Sequence, residues 1–95
     1  LMDIKEIEEY VQAMNLAYAS GVLGISYNNK VHVNYRLLEE LLNEGGDLEV
    51  VKRDCMEYPI QVNFTKNGFT YFAVYNAEKF KNTFGGNIDE LITSN

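Results

Sequence analysis

The sequence predicts an α+β domain, an antiparallel sheet of about five strands with three helices packed mainly on one face, in the order α-β-β-α-β-β-β-α. Three observations carry this. Apolar residues recur at spacings of three and four over residues 4–18, and again over 37–42; this is the period of a helix buried along one side. Elsewhere they alternate with polar residues, the period of a half-buried strand. Asn67-Gly68 joins two such alternating runs, and that pair suits a two-residue hairpin turn because both central positions need positive φ. Ninety-five residues supply one core, so a single domain is expected over 1–95.

The elements follow in order. Leu1 ahead of Met2 reads as a cloning remnant, with the natural chain starting at Met2. Asp3 is placed to accept from the free N–H groups of a first turn, and Glu6 follows three residues later, the spacing of a capping box. Ile4, Ile7, Val11, Met14 and Tyr18 then form one stripe with heptad spacing, although two heptads are too few for a coiled coil, and Gly21 supplies the left-handed residue that ends a helix. Leu23, Ile25 and Tyr27 alternate, Asn28-Asn29-Lys30 has turn chemistry, and Val31 and Val33 alternate on the return strand. Asn34 caps a second helix, with Leu37, Leu38, Leu41 and Leu42 inward and Arg36, Glu39, Glu40 and Asn43 outward; Gly45-Gly46 stops it.

Leu48 and Val50 start a third strand that ends near Arg53, and 54–58 reads as a loop. Across the Asn67-Gly68 turn, Lys66 pairs with Phe69. Counting back sets Phe64 opposite Tyr71, Val62 opposite Ala73 and Ile60 opposite Tyr75. That face should meet the helices. The other carries Gln61, Asn63, Thr65, Thr70, Phe72 and Val74, more apolar at its last two positions than a solvated face requires. Asn76 caps a third helix with Phe80 and Phe84 on one side, ended by Gly85-Gly86. Asn87 caps a last turn with Ile88, Leu91 and Ile92, and 93–95 fray.

Composition excludes more chemistry than it supports. His32 is the one histidine and Cys55 the one cysteine. No catalytic triad or zinc-ligand spacing can be built from them, and no internal disulfide, which fits a reducing cytoplasm. Adjacent acids such as Glu8-Glu9, Glu39-Glu40 and Asp89-Glu90 point about 100° apart on a helix, which suits a solvated face rather than a carboxylate pair across a cleft. No calcium loop, phosphate-binding glycine loop or run of about 18 apolar residues occurs. The chain therefore reads as non-enzymatic, without catalytic residues, cofactor or metal, and as neither membrane-spanning nor secreted.

Fourteen acidic side chains against eight basic ones give a net charge of −6. That sign opposes direct nucleic-acid binding and favours a basic surface on another protein. Seven tyrosines add interface chemistry, because tyrosine gives contact area at low entropic cost. The candidate partner-binding residues are Glu8, Glu9, Glu39, Glu40, Glu44 and Glu49, which form one acidic face if the first two helices lie side by side. Tyr10, Tyr35, Tyr58 and Phe72 are the aromatics expected to be partly exposed. A homo-oligomer is the alternative, either paired through the Phe72 and Val74 face or holding a nucleotide or metabolite in a tyrosine-lined groove between subunits.

In size, charge and Tyr, Asn, Glu and Lys usage, the whole chain resembles small acidic proteins encoded by phages and mobile elements of Gram-positive bacteria. Some of these inhibit host defence nucleases, including the anti-CRISPR class. The resemblance implies an inhibitor in the host cytoplasm that occupies a nucleic-acid-binding surface, with carboxylates in place of phosphates. It assigns no residue a role.

Overall fold

The computed structural model describes residues 3–85. The expected Asn87 cap, Ile88, Leu91, Ile92, the Asp89-Glu90 pair, the frayed end and the Leu1-Met2 start lie outside the described residues. The element order is α1 (Ile4–Ser20), β1 (Val22–Ser26), β2 (Lys30–Val33), α2 (Tyr35–Leu41), a 3-10 turn over Leu42–Glu44, β3 (Asp47–Lys52), β4 (Ile60–Lys66), β5 (Phe69–Tyr75) and α3 (Ala77–Phe84). The α+β class and this order agree with the sequence.

Local chemistry explains the boundaries. The Asp3 carboxylate accepts from the Glu6 N–H at 2.9 Å, the Asn34 side chain from Leu37 at 2.8 Å, and the Asn76 side chain from Lys79 at 2.6 Å. Each satisfies one of the orphan donors of a first helical turn. Asn28, Asn29 and Asn67 all adopt positive φ, as the turns between β1 and β2 and between β4 and β5 demand.

The strands run β1-β2-β5-β4-β3 across one five-stranded sheet. The β4–β5 register matches the predicted pairing throughout, from Lys66 opposite Phe69 to Ile60 opposite Tyr75. The sheet is mostly antiparallel but not wholly so, because β2 and β5 run parallel, with Val31 opposite Tyr71. The sequence gives no sign of this, since parallel neighbours are brought together by a long connection and leave no local turn signal.

The core lies on one face of the sheet. Val31, Val33, Val50, Ile60, Val62, Phe64, Ala73 and Tyr75 are buried there beneath Leu38 of α2 and Phe80 of α3. Tyr75 meets the rings of Phe80 and Phe84 edge-on at 6.1 and 5.6 Å, a favoured aromatic geometry. Burying about ten such side chains at roughly 1.5–3 kcal/mol each is the main favourable term.

The expectation for α1 also needs correcting. Helix α1 does not bury its stripe, and none of its residues is buried. Only Met14 and Ala17 are half-buried, both in its second half. Its packing is chiefly against β1. The molecule is 51 Å long but only 26 by 22 Å across, with a radius of gyration of 15.3 Å, against about 12 Å for a compact chain of this length. A 17-residue helix is about 26 Å long, which accounts for the extra length.

Candidate interaction surfaces

The six carboxylates named from the sequence do not form one face. Glu8 and Glu9 stand on α1, and Glu39 and Glu40 on α2, which packs against β5 rather than alongside α1. Glu39 is half-buried, contrary to its outward assignment, because it accepts a hydrogen bond from the Tyr75 hydroxyl at 3.1 Å. Burial and the Glu39 carboxylate both push the Tyr75 pKa well above the ordinary phenol range. Glu44 pairs with Lys66 across 3.8 Å, while the Lys66 ammonium donates to the Glu44 carbonyl at 2.9 Å. Glu49 belongs to the opposite face of the sheet, where Asn63 donates to it at 3.0 Å.

Register orders the side chains of that opposite face into rows. Gly24, His32, Phe72, Asn63 and Glu49 cross all five strands in one row. The His32 and Phe72 rings stack at 4.8 Å with planes 3° apart. Gln61 donates to Asn63, which donates to Glu49, at 2.8 and 3.0 Å. In the next row the Thr65 and Thr70 hydroxyls lie 3.1 Å apart. Lys30, Asp47, Glu49, Asn63, Thr65 and Thr70 line an open groove of about 480 Å³.

His32 is half-buried on this face. Phe72 covers one side of its ring, and partial burial followed by the field of Arg53 lowers its pKa from the ordinary imidazole value. Both effects disfavour a second positive charge.

The aromatic candidates partly converge. Tyr35 and Tyr58 share a smaller recess of about 240 Å³ with Leu23, His32, Val33, Asn34 and Val74, and His32 links it to Phe72. Lys79 lies over the Tyr35 ring at 4.2 Å from its centroid, a cation–π contact. The Arg53 guanidinium donates to the Tyr58 carbonyl at 3.1 Å, holding the loop between β3 and β4. Tyr10 is separate from this group and exposed on α1.

The residues that sequence reasoning missed are the apolar positions of α1. Ile4, Ile7, Val11 and Tyr18, assigned to the core, are 47–73% exposed, and Leu16 is exposed as well. Scattered exposed apolar residues are ordinary, but a contiguous stripe is not. The heptad spacing was the available signal, since it marks a helix–helix seam as readily as a core face. Among the described residues no group of three or more His, Cys, Asp or Glu side chains is placed to hold a metal, and no helix is long and apolar enough to cross a membrane. No family model, curated protein or solved structure matches the chain.

Proposed function

We propose that this protein is a protein-binding module that docks through α1, acting by association rather than catalysis. One observation carries the reading: a 17-residue amphipathic helix stands clear of the core with its apolar stripe exposed. Within a soluble fold such a stripe is usually covered by the domain itself or by a partner. Glu8 and Glu9 lie on the same helix, so a partner with an apolar strip bordered by basic groups fits both features. An inhibitor encoded by a phage, covering a basic nucleic-acid-binding surface of a host protein, is the finer form of this reading.

The test is a tagged pull-down comparing the natural chain with Ile7→Asp/Val11→Asp, run at low and high salt. Neither residue supports the core, so the variant keeps its fold, as near-ultraviolet circular dichroism will confirm. The natural chain is expected to retain a partner, or an untagged copy of itself, that the variant releases. Retention that survives high salt assigns the binding to the stripe, because screening weakens only the acidic contribution. Equal retention by both chains overturns the reading.

The groove beside Lys30 favours a second reading, a homo-oligomeric binder of a nucleotide or metabolite. Its volume of about 480 Å³ falls within the range of small-molecule sites. A rise in melting temperature with such a ligand is the expected sign.

A further inference from the structure

We infer that the occupant of the α1 stripe is a second copy of this chain, in an antiparallel helix pair that makes the protein a homodimer. The inference rests on the reading of α1 as the docking element. Spacing comes first. Ile4, Ile7, Val11, Met14 and Tyr18 step by three, four, three and four, so two copies present identical seams that interdigitate as knobs into holes. An unrelated partner would need to match that spacing, whereas a second copy has it by construction.

Charge fixes the direction. The charged residues of this segment all lie between Asp3 and Glu9, where four carboxylates face Lys5 alone; residues 10–20 carry none. A parallel pair sets the two acidic blocks side by side, and like charges at that range repel. An antiparallel pair sends each block along the uncharged half of the other helix and opposes the two helix dipoles. It also carries the block towards the other copy's Arg36. Arg36 sits close to the end of α1, since Asn34 donates its N–H to the Gly21 carbonyl at 2.9 Å, and it makes no ion pair among the described residues.

Sterics agree. Paired helices lie about 8–10 Å apart, and each sheet domain sits at the C-terminal end of its own α1. In a parallel pair the two bodies, each up to 26 by 22 Å across, crowd one end of helices only about 8–10 Å apart. In the antiparallel pair they occupy opposite ends. Met14 is half-buried against its own chain, so the four exposed stripe positions on each helix, at roughly 60–120 Å² per aliphatic side chain and more for tyrosine, bury about 600–1,000 Å² in the pair. That reaches only the lower edge of what a specific dimer needs, so the dimer should dissociate on dilution.

Sedimentation equilibrium between about 1 and 300 µM tests this. The expected result is a mass that climbs from the 10.9 kDa of one chain towards twice that value. Ile7→Asp/Val11→Asp should stay at one chain throughout. Direction is read from a spin label at Lys5 in a Cys55→Ser background. Lys5 lies about 140° off the stripe, so both labels point outward: a parallel pair sets them about 20 Å apart, and an antiparallel pair, staggered by about 18 Å further along the axis, about 27 Å apart. The shorter distance overturns the inference, as does a single-chain mass at every concentration. If that single chain still loses a different protein when the stripe is charged, the docking reading survives and only the second copy is rejected. A dimer that persists in the charged variant overturns both.

Discussion

Gly46 shows how closely the backbone is packed where α2 hands over to β3. A Cβ there would sit 2.6 Å from the Thr65 carbonyl oxygen and 2.8 Å from the Phe64 ring. Neither neighbour can yield, since one is ladder backbone and the other is buried core. Gly46→Ala should therefore cost about 1–3 kcal/mol, as overpacking does, and urea melts will measure it. Tyr75 makes a second residue-scale prediction. Its folded-state pKa is raised, so the folded chain keeps a proton that the unfolded chain releases near pH 10. Stability is complete below that pH and falls as pH rises above it. Tyr75→Phe should flatten that alkaline decline in melting temperature. At neutral pH it should cost about 1 kcal/mol for the lost bond to Glu39.

The junction between α1 and β1 depends on two residues from different elements. Gly21 has φ of 119°, and Asn34 side-chain atoms stand about 3 Å from where its Cβ would be. The same Asn34 side chain caps α2. Asn34→Ala should lower stability by about 1 kcal/mol through the lost cap, measurable in the same melts. Elements like these were legible because their signals are local. Capping residues, the Asn67-Gly68 turn and the alternation of β4 and β5 announced boundaries and register within a few residues. Two facts were not legible. The parallel β2–β5 pairing is decided by the 35-residue connection over 34–68. The exposure of α1 is decided by how much core surface remains, and α2 with α3 already covers the sheet. Ile4, Ile7 and Val11 have the same period whether they meet a core or a partner. The candidate site was less legible than the fold for the same reason. Glu8, Glu39 and Glu49 were grouped by charge, and only the tertiary arrangement shows that they point to different surfaces.

The whole molecule is a compact two-layer body with a helical arm. Small-angle scattering on the Ile7→Asp/Val11→Asp chain should give a radius of gyration near the 15.3 Å of the extended form. A value near 12 Å, that of a compact chain, would mean that α1 folds back onto the body. The parallel β2–β5 pairing also has a kinetic consequence. The β1–β2 hairpin and the β3–β4–β5 meander each close through short connections, so each can form early. They meet only when Val31 finds Tyr71, and that encounter must close the longest loop in the sheet. The seam between β2 and β5 is therefore expected to form last. Until it forms, the arm and its hairpin are tethered to the rest of the sheet by chain alone.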